Sequence, residues 1–522
     1  MSFRVCIPVA GIGSRLGGKT HFINKALVTV SNRPVLSHLI DQFPEDVEFV
    51  LALGYKGHLI REFLALAYPH RIFLFADVDV YEGPGSGLGL SLLKCQHHLQ
   101  QPFVFISCDT LVKNTIPDPE YNWMGYADIT EASQYRSLEI RGHNVSAICE
   151  KGEIVSAENK PYIGLAGIKD YQLFWQAMQS GGATAIAQGE AYGMRALISR
   201  DIQAHVFSWF DTGNPDSLEK TKIAYTVPNH LNILEKENEA IWFIADNVIK
   251  FSDDTSFIKN RVKRAQDLKG YAPEITASQP HLYRYTKVEG DVLSDVVTVP
   301  LFKKLLEHCK GFWASNHLSL AEQSEFESHC RHFYRDKTLE RVARFSEIYN
   351  KQDAVEVING VTIPRLYQLL DQLDWNWLSQ GVPCRFHGDL HFENILWNEN
   401  DQRFTFLDWR QDFDGLLHVG DVYYDLAKLL HGLIINHGII AQNRFNVSWD
   451  GEKVQFEFDR TQVLMDCEEY FYDWLSQNHY DLGKVRLLTA LIFLNISPLH
   501  HTPYCFLLYA LGKAMLCPFI KL

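Results

Sequence analysis

The sequence predicts an α/β protein built from two successive modules. Three observations carry that reading. An apolar stretch, Phe3 to Ala10, runs straight into a glycine turn at Gly11 and Gly13. Strand-length apolar runs then alternate with helical spacings, the pattern of a parallel, doubly wound sheet. After Pro228 the pattern changes, with strand-rich segments first and long helical segments after them, as in an α+β module. The boundary is placed there, giving modules at residues 1–227 and 228–522. The second module divides into a small lobe over about 231–295 and a helical lobe over about 296–522.

Bulk properties narrow the function classes. A chain of 522 residues exceeds one ordinary core. A net charge of −14 with no long basic run speaks against a nucleic-acid or anionic-membrane partner. The ten cysteines are scattered, with no CxxC pair or Cys/His spacing, so neither zinc nor a disulfide framework is expected. Buried thiols in a reducing compartment account for them. No signal-peptide core precedes the first strand, and apolar runs such as LLTALIFLNI fall short of a membrane span. A cytoplasmic chain without membrane insertion is expected; its oligomeric state is not legible.

In the first module, Gly11-Ile12-Gly13-Ser14-Arg15-Leu16 lets backbone N–H groups approach phosphates. Asn24-Lys25-Ala26-Leu27 follows. Val47–Leu53 and Arg71–Phe75 read as strands flanking a helix at His58–Ala67. Gly83-Pro84-Gly85-Ser86-Gly87-Leu88 is a second glycine turn opening a helix, suited to close contact with a base and ribose. Asp109 ends the strand Phe103–Asp109, where a carboxylate could hold Mg²⁺ at the sheet's carboxyl edge, and Asp211 sits in Ser208-Trp209-Phe210-Asp211-Thr212-Gly213.

This series resembles the sugar-1-phosphate and phosphocholine nucleotidyltransferases, with Asn24 where that family usually has proline. The resemblance implies a Rossmann-like nucleotidyltransferase domain. It makes Arg15 and Lys25 catalytic, Gly11, Gly13, Gly85, Ser86 and Gly87 nucleotide-binding, and Asp109 and Asp211 ligands of Mg²⁺. A phosphate monoester acceptor is already largely a dianion at neutral pH, with a second pKa of about 6, so such chemistry needs no general base. It needs positive charge against the repulsion of two anions. Residues 13–20 also fit the P-loop pattern G-x-x-x-x-G-K-[ST], which would make Lys19 the phosphate ligand and requires a helix to open there.

The second module turns on Phe386 to Phe413, FHGDLHFENILWNENDQRFTFLDWRQDF. Phosphoryl transfer needs a carboxylate at the acceptor hydroxyl, with an amide and a second carboxylate for the metal on ATP. Asp389, Asn394 and Asp408 supply that set, and a hairpin around Asn398–Asp401 would carry the last two to neighbouring strand ends. The segment resembles the catalytic loop and metal-binding segment of the aminoglycoside phosphotransferase and choline kinase family. An α+β protein-kinase-like fold is implied, with Asp389 as base and Asn394 and Asp408 as Mg²⁺ ligands. By the same likeness Lys250, inside an apolar strand, contacts ATP phosphates, and Glu289 lies near the adenine hinge. No GxGxxG loop precedes Lys250, and Phe257–Leu268 has no well-placed glutamate to pair with it. Asp421 and Asp425 are expected to brace the loop.

Together the resemblances imply a bifunctional enzyme of surface-polysaccharide (capsule) synthesis. One half would phosphorylate an amino-alcohol, sugar or polyol with ATP. The other would transfer a nucleotidyl group from CTP or UTP to the product, releasing pyrophosphate. The alternatives are a P-loop kinase in the first module, or a regulatory nucleotide-binding protein with one active half.

Overall fold

The computed structural model describes residues 3–129, 134–152, 159–226 and 237–519. The boundary placed at residues 227–228 lies outside them. By compactness the chain forms two units, Met1–Ile258 with Thr276–Lys287, and Lys259–Ile275 with Val288–Leu522.

In the first unit nine strands form one sheet: β1 (Arg4–Pro8), β2 (Glu48–Leu53), β3 (Phe73–Asp77), β4 (Phe103–Ile106), β5 (Trp123–Tyr126), β6 (Ser137–Arg141), β7 (Asn144–Cys149), β8 (Lys160–Ile168) and β9 (Gln203–Val206). Their order is β3-β2-β1-β4-β8-β5-β9-β7-β6. β3, β2, β1 and β4 run parallel. β8 is antiparallel to both β4 and β5, so the expected all-parallel sheet is instead a mixed one. The alternation of strands with helices is strict only in the first half; in the second, β9 lies parallel to β5 and antiparallel to β7. Burial explains the readable half: β1 is almost wholly buried, as a strand covered on both faces must be. Helix α1 (Gly57–Ala67) buries Leu59, Ile60, Phe63, Leu64 and Leu66 along one stripe. At the other turn, α2 (Leu88–Cys95) starts after Gly87 and packs on α3 (Gly182–Gln188). A Cβ on Gly87 would lie 2.4 Å from the Ile186 carbonyl oxygen, so this glycine answers first to helix packing. Beyond β9, α4 (Pro215–Tyr225) is capped by Asn214.

The same unit includes a second sheet of β10 (Glu239–Ile244), β11 (Asn247–Ser252), β12 (Ile275–Gln279) and β13 (Leu282–Thr286), in order β10-β11-β13-β12. Trp242, Ile249, Phe251 and Leu282 share one apolar core with Val5, Phe63 and Leu64. Trp242 is fully buried and donates to Thr29 Oγ1 at 3.0 Å, and Arg284 donates to the Leu66 carbonyl at 2.7 Å. The strand-rich segment of the second module is thus physically continuous with the first module's core.

Helix α5 (Thr255–Ala265) begins in the first unit and ends in the second. The second unit is mostly helical, with α6 (Lys337–Tyr349), α7 (Val422–Ile434), α8 (Leu482–Ile496) and α9 (Tyr504–Leu516), plus the hairpin β14 (Ile395–Asn398) and β15 (Arg403–Phe406). Every residue of α7 is buried, its start fixed by Asp421 accepting from the Tyr423 N–H. By length and composition alone the segment Leu482–Leu499 could cross a membrane, although the apolar run LLTALIFLNI within it is shorter than a span. Most of it is buried within the unit, where α8 packs on α7 and α9.

Candidate active sites

The first site lies at the carboxyl ends of β1 and β4. The chain runs outward from β1 to β2 and β3, then crosses to β4 on the other side of β1, which makes this the switch point of the sheet. The loop after β1 carries Gly11 and Gly13. Gly13 has φ +73, and a Cβ there would sit 2.9 Å from Lys25 Cβ, so only glycine lets the loop lie on Lys25. Asn24 is completely buried, donates to the Val9 and Tyr55 carbonyls at 2.9 and 2.7 Å, and accepts from the Ala26 N–H. These bonds fix the backbone that presents Lys25.

Asp109 and Asp211 meet across a two-stranded pair, Thr110–Val112 with Trp209–Asp211, in which Asp211 stands opposite Thr110. The Thr212 N–H donates to the Asp109 carbonyl at 3.0 Å. A Cβ on Gly213 would lie 3.0 Å from Asp211 Oδ1, 3.1 Å from Arg15 Nη2 and 3.3 Å from Asp109 Oδ2, so the three groups ring one small space. Lys25 Nζ and Arg15 Nη2 stand 3.6 and 3.7 Å from Asp109 Oδ2. Burial opposes the charges here. For Asp109 it is outweighed by Lys25, a hydrogen bond from Ser107 and Arg15, which hold the carboxyl below its ordinary range. For Lys25 burial is outweighed by Cys108 and Asp109, and the ammonium is held above its ordinary value. Tyr135, which the sequence reading did not single out, donates to Asp211 Oδ2 at 3.3 Å.

Gly85 has φ +86 in an exposed turn, and the Ser86 hydroxyl donates to the Gly83 carbonyl at 2.7 Å. Lys19 is exposed, 3.6 Å from Glu219. Residues Ser14–Thr20 form a kinked 3₁₀ segment with Gly17 at φ 58, ψ −134, and no α-helix opens at Lys19. The P-loop alternative lacks its required element.

The second site is built by α7 and the loop before β14. Asp425 accepts from the backbone N–H groups of His387 and Gly388 at 2.8 and 2.6 Å and from the Trp313 indole at 3.0 Å. It therefore clamps the turn that presents Asp389. The buried His387 imidazole is pushed down to about 3, chiefly by burial. Neutral, it donates from Nε2 to the Leu407 carbonyl and accepts from the Asp389 N–H at Nδ1. Lys428, one turn along α7 from Asp425, places Nζ 2.8 Å from Asp389 Oδ1. Burial works against the Asp389 carboxylate, but Lys428 and His391 hold it well below its usual range.

Asn394 donates from Nδ2 to the Asp389 carbonyl at 3.0 Å and to Oδ2 at 3.3 Å, and its Oδ1 has no hydrogen-bond partner among the described residues. The Leu407 N–H donates to the Asn394 carbonyl at 2.7 Å, so the hairpin sets Asp408 beside Asn394. Asp408 has φ +56, a left-handed conformation uncommon outside glycine, and pairs with Arg261 of α5 at 3.0 Å.

Residues 271–463 match the phosphotransferase enzyme family. Asp389, Asn394, Asp408 and Lys428 all lie within the matched residues, and Glu289 is an exposed residue among them. Lys250 falls outside the matched residues, buried in β11 opposite Ile241 and Tyr283 in the first unit. No curated protein matches the chain significantly. Among solved structures, UDP-glucose pyrophosphorylase from Acinetobacter baumannii is 17% identical, covering 43% of this chain and 93% of that one, with a TM-score of 0.36. The UTP-bound form is 15% identical, with coverage of 44% and 96% and a TM-score of 0.38. The CTP:phosphocholine cytidylyltransferase of Streptococcus pneumoniae is 15% identical, with coverage of 43% and 100% and a TM-score of 0.35. Likenesses at this level say nothing of substrate.

Sequence reading missed Lys428, Arg261 and Tyr135. A signal existed for the first: Asp425, Lys428 and His431 recur every three residues in an otherwise apolar helix. Ionisable groups on one stripe of a buried helix must face partners. Arg261 and Tyr135 come from distant segments with no local pattern.

Proposed function

We propose that the chain is a bifunctional cytoplasmic enzyme that phosphorylates a small hydroxylated acceptor with ATP and then nucleotidylates the product from CTP or UTP. Residues 1–227 are assigned to the transferase and 228–522 to the phosphotransferase. The observation that carries the reading is the cluster of Asp389, Lys428, Asn394 and Asp408 in the phosphotransferase segment, with a separate cluster of Lys25, Arg15, Asp109 and Asp211 at the switch point.

In the phosphotransferase half, Asp389 accepts the acceptor's hydroxyl proton as that oxygen bonds to the γ-phosphorus. The bond from γ-phosphorus to its bridging oxygen breaks, and ADP departs with the electron pair. Lys428 fixes the orientation of the carboxylate. Asn394 Oδ1 and Asp408 are hard oxygen donors suited to Mg²⁺, as are Asp109 and Asp211. Mg²⁺, when bound with nucleotide, supplies positive charge against the phosphates. In the transferase half, Arg15 and Lys25 offset the repulsion between the phosphorylated acceptor and the nucleotide, while Gly11, Gly13, Gly85, Ser86 and Gly87 line the approach of backbone to nucleotide. The acceptor's phosphate oxygen attacks the α-phosphorus and pyrophosphate leaves. Lys250 and Glu289 are proposed contacts for ATP. The activated product suits surface-polysaccharide synthesis.

The test is a substrate screen: ATP with candidate alcohols and sugars, followed by each NTP with pyrophosphate detection. ATP-dependent phosphorylation, followed by NTP- and product-dependent pyrophosphate release, is expected. An absence of either activity across the panel would remove that half of the proposal.

A further inference from the structure

Beside Asp389 the second unit holds a pocket of about 480 Å³, lined by Lys337, Arg341 and Arg344 of α6, Arg410, and Phe333. None of the four cations has a carboxylate within 4.0 Å or a side-chain hydrogen bond among the described residues. The Nε of Arg410 is buried without a partner. Lys337 and Arg410 both lie over the Phe333 ring, at 4.1 and 4.9 Å from its centroid. The pocket's acidic groups offset them only in part: Asp414 is bound by His329 and His332 at 3.0 and 2.6 Å, Asp412 accepts from the Gly415 N–H, and Glu340, whose charge acts on Arg341, is exposed. In a chain of net charge −14, four basic side chains around one cavity, with burial and the charges of Arg410, Lys428 and Arg341 pushing the Lys337 ammonium well below its ordinary value, are a costly arrangement unless an anion joins them.

The pocket adjoins the transfer centre. A Cβ on Gly388 would lie 2.6 Å from Arg410 Cβ, so the Arg410 side chain rests on the residue preceding Asp389. The Arg410 N–H also donates to the His387 carbonyl at 2.9 Å. Lys428, which holds Asp389, is among the charges acting on Lys337.

We infer that the phosphotransferase acceptor is itself an anion, a hydroxylated compound bearing a carboxylate or phosphate that Lys337, Arg341, Arg344 and Arg410 hold while its hydroxyl faces Asp389. This rests on the phosphotransferase reading above and narrows its acceptor class. Guanidinium groups match oxyanions in a two-pronged geometry, and four cations offset the repulsion between an anionic acceptor and the terminal phosphate of ATP. A quaternary amine would have to enter between Lys337, Arg341, Arg344 and Arg410. The acceptor's anion takes no part in the bonds made or broken.

The experiment uses the full chain with matched acceptors: an aldose, its aldonic or uronic acid and its phosphate ester, a polyol and its phosphate, and choline. The acid or phosphate member of a pair is expected to exceed its neutral partner about tenfold or more in kcat/KM, with choline inert. The acid and phosphate arms separate the two oxyanions. The double variant R341Q/R344Q is expected to raise KM for the anionic acceptor about tenfold or more and leave KM for ATP unchanged. Preference for the neutral or cationic acceptor, or a change confined to KM for ATP, would overturn the inference. A second arm needs no turnover: inorganic phosphate should raise the thermal midpoint of the native chain more than that of the folded double variant. Equal stabilisation overturns the anion site; stabilisation of the native chain alone, with no acceptor phosphorylated, upholds it and removes the phosphotransferase reading instead.

Discussion

Lys428 Nζ stands 2.8 Å from Asp389 Oδ1, one helical turn beyond the Asp425 carboxylate that clamps the backbone of the same loop. A single face of α7 therefore sets both the position and the charge of the proposed base.

Replacing Asp389 by Asn keeps the shape of the loop and removes the proton acceptor. Phosphoryl transfer should fall by about 10²–10⁴. Nucleotidylation of pre-phosphorylated acceptor should remain at the native rate. Parallel assays of the two half-reactions check this, and retention of both rates would refute the site assignment.

The charge of Lys428 acts on pH dependence. Because Lys428 and His391 hold the Asp389 carboxyl well below its usual range against the effect of burial, the native base stays ionised into acid. Activity that needs the carboxylate is lost only as pH falls through that depressed value. In Lys428→Met the value rises, so the acid limb of kcat/KM should move to higher pH by about one unit or more. An unmoved acid limb with lowered kcat would mean that Lys428 acts by geometry alone.

Lys25→Ala should lower nucleotidylation by about 10²–10³ by removing fixed positive charge, while phosphoryl transfer is unaffected. Lys19→Ala should spare both reactions, since Lys19 sits at the surface beside Glu219 and opens no helix. Loss of activity in Lys19→Ala with retention in Lys25→Ala would restore the P-loop alternative.

Trp242 tests the join between the two sheets of the first unit. It is fully buried and its indole donates to Thr29. Trp242→Ala should destabilise that unit by about 3–5 kcal/mol through the cavity it leaves. Urea unfolding, with nucleotidylation as one probe of the transition, measures this. An unchanged midpoint would separate the second sheet from the first module's core.

The parts of the chain legible in sequence were those where local pattern and final structure coincide. β1, the glycine loop, α1 and the hairpin β14–β15 each announce themselves within a few residues. The mixed half of the sheet did not, because β8 pairs with strands on both sides in a register that no local periodicity encodes. In the loop proposed to be catalytic, the spacing of Asp389, Asn394 and Asp408 carried the reading. Its support from Arg261 on Asp408, like that of Tyr135 on Asp211 at the first site, comes from a distant segment and became visible only on folding. Asn24 stands where the resembled family usually has proline, and its three hydrogen bonds show what an amide provides there that proline would not.

The polypeptide passes from one compact unit to the other at Ile258, returns at Thr276 and leaves again after Lys287. No single scission therefore separates the units cleanly: one after Ile258 leaves Thr276–Lys287 with the second unit, and one after Lys287 leaves Lys259–Ile275 with the first. Any gene break within this stretch would strand β-structure on the wrong fragment. Either unit cut free in this way would carry a piece of the other, so the threading of the chain ties the two together at every copy made.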